Sequence, residues 1–385
     1  MTLFAKGRPT VCTIDLAALC WNFRQVRERI GPGVKVLSVV KANAYGHGAV
    51  SVARALADAG SESFGVATLE EGIELRAGGV DAPILVLAGA YPEQLDEFIE
   101  HRLTPAICET ETLRRLELEA RRRGVTLSFH LKVDTGMGRI GLRAADVDSW
   151  LPELGPLKAL RLEGIFSHFS HAESAEGNYT QGQLQAFRRV LKRLRSAGYD
   201  PPLVHVANSA AVIALPSAHF TMVRPGLMLY GAYPSPDMAS QVTLKPVLTW
   251  KTRVLQLKKV PKGSSISYGR TFVTRRESLI ATLPVGYADG YHRLLSNRGE
   301  VLIRGRRAPI VGRVCMDLTM ADVTGASGVA QGDEVVLLGA QGQASISADE
   351  MARWAETISY EIFTSIGPRV PRRHYRSEGE EKKRG

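Results

Sequence analysis

A chain of 385 residues is long for one core and comfortable for two domains. Its 44% hydrophobic and 23% charged content is that of an ordinary globular protein, and no apolar run nears the ~20 residues of a membrane helix. The net charge of +10 raises the question of a nucleic-acid partner, and its distribution along the chain bears on the answer.

Residues 1–9 show no apolar core followed by a small-residue cleavage site, so the expected location is the cytoplasm. A first strand, 11–14, precedes a region in which short β-branched runs alternate with amphipathic stretches. Strands are predicted at 34–40, 64–67, 84–87, 105–107, 127–133, 162–166, 203–207 and 221–224. Helices are predicted at 48–59, 69–77, 110–123 and 181–197, the last with Leu184, Phe187, Leu191 and Leu194 on one face. Eight strand-then-helix units over about 200 residues predict an α/β fold with an N-terminal (β/α)8 barrel. Arg121-Arg122-Arg123 closes a helical pattern before Gly124, where cations suit the helix dipole.

The segment 233–241 breaks this rhythm and reads as a linker. Strands then follow without long helices, at 245–260, 279–283, 300–304, 308–311, 318–323 and 333–338. One helix is predicted at 347–356, with Ser347 as N-cap and Glu350 three residues on. The expected domains are therefore a barrel over 1–240, with residues 1–14 open to pairing elsewhere, and a mainly antiparallel β domain over 241–376. The tail 377–385 is expected to lack fixed structure. From Gly367 to Gly385, seven Lys/Arg against three Glu carry +4 of the +10. Neither basic cluster is interleaved with aromatics, so no nucleic-acid partner is expected. Cys12, Cys20, Cys108 and Cys315 show no metal spacing, which predicts reduced thiols and no metal site.

Polar residues collect at predicted strand ends, where a barrel opens its loops: Lys41, Lys132, His168, Asn208-Ser209 and Arg224. A lysine closing a buried strand is either a solvated loop residue or an amine of lowered pKa that forms an imine with an aldehyde, as pyridoxal phosphate chemistry requires. Ser209 and the backbone at Gly226-Leu227 follow the seventh and eighth strands, where barrels often hold phosphate. Ser209 also suits a helix cap.

Nine segments in order resemble the alanine racemases, pyridoxal phosphate enzymes with a barrel and a C-terminal β domain. They are V-V-K-A-N-A-Y-G-H-G (39–48), H-L-K-V-D-T-G-M-G-R (130–139), S-H-F-S (167–170), H-V-A-N-S (205–209), M-V-R-P-G (222–226), S-Y-G (267–269), G-Y-A-D-G (286–290), G-R-V-C-M-D (312–317) and S-Y-E (359–361). The resemblance implies interconversion of L- and D-alanine, supplying D-alanine for peptidoglycan. Lys41 would hold the cofactor and act as a base on one face of Cα, with Tyr268 on the other. Arg224 would face the pyridine nitrogen, oriented by His205, and His168 would lie near the ring. Tyr45, Asn208, Ser209, Gly226, Leu227 and Tyr360 would serve the cofactor, several of them at its phosphate. Arg139 would reach the cofactor phenolate and, with Met316, the substrate.

The same resemblance implies a carbamylated Lys132 paired with Arg139, and an entrance flanked by Tyr287, Arg293, Arg313 and Asp317. It also implies a homodimer whose active sites are shared between chains. Two alternatives stay open on the sequence. Decarboxylases of this architecture would be expected to carry a carboxylate in place of Arg224 and a Gly-rich phosphate loop. Non-catalytic pyridoxal phosphate carriers resemble the barrel alone, against which residues 241–385 and Tyr268 argue.

Overall fold

The computed structural model describes residues 7–173 and 178–376; the tail expected to lack fixed structure lies outside the described residues. Two compact units result. Among the described residues, one gathers 7–18, Tyr45–Gly48 and 246–376; the other takes those of Leu19–Ala44 and Ala49–Lys245.

Strand β1 (Val11–Asp15) belongs to the first unit. In the second, β2 (Lys35–Val39), β3 (Ser63–Val66), β4 (Ile84–Val86), β5 (Leu103–Ile107) and β6 (Leu127–Asp134) follow in order. A two-residue strand, β7 (Leu142–Arg143), lies beside β6. Next come β8 (Leu160–Phe166), β9 (Leu203–His205) and β10 (Met222–Val223). Among the described residues, β2 to β6 and β8 to β10 form a closed parallel barrel of eight strands, sealed by the pairings β5–β6 and β10–β2. The strands β3 and β4 are buried along their whole length, as strands covered on both faces must be. Gly65 marks the tight interior, because a Cβ there would lie 2.4 Å from Leu37 Cδ2.

The helices of this part of the chain begin with α1 (Leu16–Ile30), α2 (Lys41–Gly46), α3 (Ala49–Asp58) and α4 (Leu69–Ala77). They continue with α5 (Leu95–Glu100), α6 (Thr110–Arg123), α7 (Val147–Trp150), α8 (Asn178–Ser196) and α9 (Ser209–Ala214). Thr68 and Glu71 cap α4 reciprocally, and Gly124 ends α6 in the left-handed region at φ 66°. The leucine and phenylalanine face foreseen for 181–197 is buried in α8. The segment read as a linker, 233–241, contains a short 3-10 turn, Pro236–Ser240, that buries Met238.

In the other unit, strands β11 (Leu248–Arg253) and β12 (Gln256–Val260) replace the single strand expected at 245–260. They join different sheets, with Val254-Leu255 between them. Further strands are β13 (Ser265–Ile266), β14 (Phe272–Val273), β15 (Ser278–Leu283), β16 (Glu300–Ile303), β17 (Arg306–Pro309) and β18 (Thr319–Asp322). The last are β19 (Glu334–Gln341), β20 (Ala344–Ile346) and β21 (Arg372–Tyr375). The main sheet runs β17-β16-β19-β11-β1-β21, antiparallel except for the parallel pair β1–β21. A three-stranded sheet, β12-β15-β18, and the hairpin β13–β14 complete it.

Two helices, α10 (Ala348–Trp354) and α11 (Ser359–Ser365), stand where one was expected. The second is seven residues long and its N-cap position, Ile358, makes no side-chain cap bond, so it carries little sequence signal. Among the described residues no helix is long and apolar enough to cross a membrane.

Candidate active site

Lys41 follows β2 and opens a turn that the sequence did not foresee. Residues 42–46 have φ of 52°, 54°, 53°, 52° and 78°, one turn of left-handed helix built from four non-glycine residues and Gly46. Each such L-residue costs about 1–2 kcal/mol, so the turn persists only because it is held. The Ala42 N–H donates to Glu71 Oε1 at 2.6 Å, Ala44 N–H to Val40 O at 2.8 Å, and Asn43 Oδ1 accepts from Ala49 N at 2.8 Å. Glu71 also accepts from Ala67 N at 2.7 Å through its other oxygen. Burial lowers the Lys41 pKa, Arg139 lowers it further, and Glu71 opposes both.

Arg224, just past β10, is buried among acceptors. Its Nη1 lies 2.9 Å from His205 Nδ1, and its Nη2 donates to Ser167 O at 2.7 Å and lies 3.3 Å from His168 Nδ1. Burial pushes its pKa down to about 9, which leaves it a cation near neutrality. His205 Nε2 is 2.8 Å from His130 Nδ1, and the His205 ring stacks on Phe166 at 4.9 Å. Burial and the neighbouring guanidinium hold His168 and His205 well below the ordinary imidazole range and push His130 down to about 3. All three are neutral rings at physiological pH.

Lys132 is 4% exposed, with Nζ 4.6 Å from the Phe166 ring centre, and among the described residues it forms no ion pair. Burial, then Arg224, pushes its amine down to about 7. Arg139 is exposed on the loop after β6, shaped by Asp134, whose Oδ1 accepts from the N–H groups of Gly136 and Met137 at 2.9 Å each. Gly141 has no room for a side chain; a Cβ would sit 2.9 Å from Lys132 Cγ. Asn208, not Ser209, caps α9, accepting from Ala211 N at 3.1 Å. Ser209 Oγ instead accepts from Gly226 N at 2.9 Å and Met228 N at 3.3 Å, which ties α9 to the turn that carries Leu227.

Tyr268, Tyr287, Arg293, Arg313, Met316, Asp317 and Tyr360 lie in the other unit, as does Tyr45. Tyr268 is 72% exposed. The residue before it, Ser267, has φ 65° and ψ −174°, a region that glycine alone adopts easily. Its hydroxyl donates to Arg313 O at 2.6 Å. Gly312 permits this approach, since a Cβ there would meet Ile266 O at 2.6 Å. The β13–β14 hairpin rests on Ile266, Ile280 and Val311.

Tyr287 and Ala288 donate their N–H groups to the carbonyls of Cys315 and Met316, both at 3.0 Å, so two of the sequence motifs meet backbone to backbone. Buried Asp289 anchors them through both oxygens to Arg8, at 2.5 Å each. Asp317 accepts from Arg369 at 2.7 Å. The loop of Arg293 is fastened through Ser296, whose hydroxyl accepts from Val314 N at 2.9 Å. Tyr45 and Tyr360 stand with ring centres 5.9 Å apart, and burial raises the Tyr45 phenol.

Three residues that hold these groups were not foreseen: Glu71, His130 and Ser267. Glu71 was detectable as the fourth residue of T-x-x-E, a helix-start signature, but nothing in sequence shows that it reaches Ala42. His130 and Ser267 stand inside recognised segments, with no spacing that sets them apart.

The sequence matches the family described as alanine racemase, N-terminal domain, over residues 14–234 and alanine racemase, C-terminal domain, over residues 247–374. A curated alanine racemase of Halothermothrix orenii is 49% identical over 367 residues, covering 95% of this chain and 97% of that one. Among solved structures, the alanine racemase of Bacillus anthracis with bound L-Ala-P superposes with a TM-score of 0.91 at 38% identity, covering 97% of this chain and 96% of that one. The alanine racemase of Bartonella henselae with covalently bound pyridoxal phosphate gives 0.86 at 31% identity, covering 96% and 100%. A barrel and β unit matched over nearly their full length by these proteins leave one assignment: the chain belongs to the alanine racemase family and interconverts L- and D-alanine.

Proposed function

We propose that this racemase uses pyridoxal phosphate bound at the barrel rim, with Lys41 and Tyr268 as its two bases. The observation that carries this reading is the convergence of Lys41, Lys132, His168, Ser209 and Arg224 at the C-terminal ends of five parallel strands. The donor set suits the cofactor. Lys41 offers an amine of lowered pKa for the aldehyde, Arg224 a fixed guanidinium for the ring nitrogen, and Ser209 a hydroxyl for the phosphate. Gly226 N–H is already taken by Ser209 Oγ, so of that pair the serine hydroxyl hydrogen is what remains for an anion. Asn208 supports this group as the cap of α9. Tyr45 and Tyr360 add phenol donors, and Leu227 its backbone.

When bound, the cofactor supplies an aldehyde and a conjugated ring that draw electrons from Cα. Lys41 takes or returns the α-proton on one face and Tyr268 does so on the other, so each passage moves one proton off and one on. Arg224 stays protonated and offers the ring a hydrogen bond without surrendering its proton. Electron density therefore remains near Cα, which favours reprotonation there over transfer to another carbon. Lys132, whose amine is neutral about half of the time near pH 7 and forms no ion pair among the described residues, is suited to react with carbon dioxide. The products are a carbamate and a proton, and the anion would pair with Arg139. Met316 would limit the pocket to small side chains, and Tyr287, Arg293, Arg313 and Asp317 would flank the entrance.

Tyr268, Tyr287, Leu294, Met316, Leu318 and Ile358 are large, exposed side chains of the β unit. This supports a homodimer in which the β domain of one chain covers the barrel of its partner. Reduced cysteines accord with a cytoplasmic enzyme that supplies D-alanine for peptidoglycan. Borohydride reduction tests the cofactor reading: it should fix the pyridoxyl mass on the peptide containing Lys41, while untreated enzyme erases the optical rotation of L-alanine. A label on another lysine overturns the assignment.

A further inference from the structure

We infer that His130 is a positioning residue which, through His205, fixes the donor geometry of Arg224; this rests on the reading of Arg224 given above. A guanidinium has only donors, so His205 Nδ1, 2.9 Å from Arg224 Nη1, must accept and carries no proton. A neutral imidazole then bears its proton on Nε2. That nitrogen lies 2.8 Å from His130 Nδ1, which must be the acceptor, so the proton of His130 sits on its own Nε2. The chain Arg224–His205–His130 thus has one direction of donation throughout. It ends with His130 Nε2 3.9 Å from Glu163 Oε2, beyond hydrogen-bond reach, so the last proton of the relay is not handed to a carboxylate.

The surroundings are built for this ring. A Cβ at position 164 would lie 2.6 Å from His130 Nδ1 and Cε1, so only glycine fits beneath it. The register between β6 and β8 shifts at Phe129/His130, where this ring takes its place. Phe166 stacks on His205 with an interplanar angle of 2°, which fixes the plane of the ring between the two partners. Without an acceptor at His130, the buried Nε2–H of His205 has no partner. The ring is then free to exchange tautomers and turn an N–H against the guanidinium. Arg224 would lose its aim, although it touches nothing of His130.

The test uses the full-length enzyme with pyridoxal phosphate bound and histidines labelled with 15N. Nitrogen NMR should show His205 and His130 as single-proton rings with Nδ1 bare from about pH 6 to 8. A proton on Nδ1 of either ring, or a doubly protonated ring in that range, overturns the inference without any variant. His130→Leu should lower kcat about 10–100-fold with little change in KM for alanine, and should give His205 a mixture of tautomers. His130→Asn places an oxygen where Nδ1 stood and should restore most of both. If His130→Leu lowers kcat while the His205 tautomer stays single, the residue only fills space and the inference fails. Failure of the cofactor reading is distinguishable, because it would appear as borohydride label missing from Lys41 whatever the nitrogen spectra show.

Discussion

At the barrel rim, Lys132, His205 and Arg224 are buried and shifted toward their neutral forms, while in the β unit Tyr268 stands 72% exposed on a strained loop. Burial sets the chemistry of the first group: three neutral imidazoles and a weakly basic amine surround one guanidinium that remains a cation. Backbone geometry sets the second: Ser267 in a glycine-like conformation, Gly312 beneath it, and one hydroxyl-to-carbonyl bond to hold the turn. A proton-transfer group needs a tuned pKa and a fixed position. The rim supplies both within one chain. The tyrosine loop fixes position through its backbone, and on the reading above its environment is completed by a partner barrel.

Removing either base should have the largest consequence. Lys41→Ala and Tyr268→Ala should each lower kcat by about 10²–10⁴-fold. Co-expressed with two tags, the inactive chains should form hybrids in about half of the dimers, each with one intact site, which returns about a quarter of wild-type activity. No recovery in hybrids purified through both tags would show that one chain supplies both bases to its own site.

The buried amine comes next. Lys132→Ala removes the anion proposed to face Arg139 and should lower kcat roughly 10–100-fold, the cost of a hydrogen bond to a charged group. Added acetate should restore part of the loss by occupying the vacated volume. Full activity in the variant would make a carbamate unnecessary, and the unusual amine would then be a consequence of packing alone.

Much of this division was legible in sequence. The five strand ends carrying Lys41, Lys132, His168, Ser209 and Arg224 followed from period and β-branched runs, because parallel strands covered on both faces leave a strong apolar signal. The β unit was harder. The run 245–260 reads as one strand, since nothing in its composition marks the break at Val254-Leu255 that sends its halves to different sheets. The left-handed turn at 42–46 is invisible for a different reason. Ala42, Asn43, Ala44 and Tyr45 all prefer right-handed backbone, and it is the distant Glu71, with Asn43 and Val40, that overrides the preference. Such tertiary overrides concentrate where the chain must place one side chain at one point.

The histidines give the rim a pH signature. His130 and His205 are held neutral in the fold, whereas in the unfolded chain they titrate near 6.5. As pH falls below 6.5 the unfolded chain binds protons that the native rings refuse, so stability present above that value is lost. From pH 6.5 to 5.5 the loss is about 1 kcal/mol per histidine, ~2 kcal/mol for the pair. Denaturant titrations across this range should show a shallower slope for His130→Asn and an unchanged slope for Tyr268→Phe. An equal slope in all three proteins would mean that these rings are not the source.

At Glu71, burial and backbone strain meet at one carboxylate, and its removal should cost least. Its oxygens take the N–H groups of Ala42 and Ala67 at 2.6 and 2.7 Å, and its charge raises the Lys41 pKa against desolvation and Arg139. Glu71→Ala strands both donors and should cost about 1–2 kcal/mol, lowering Tm by about 2–4 °C per kcal/mol. Glu71→Gln keeps one acceptor and presents an amide N–H to the other donor, so its loss should be intermediate. Either variant removes the negative charge and should drop the Lys41 pKa further. In cofactor-free protein, Lys41 should then be labelled by an amine-reactive reagent at lower pH than in wild type, with the peptide identified by mass spectrometry. The two readouts separate the roles. A fall in Tm without a change in labelling would leave Glu71 as a clamp for the left-handed turn, whereas equal labelling shifts in the Ala and Gln variants would show that charge, not the lost hydrogen bonds, sets the basicity of the amine.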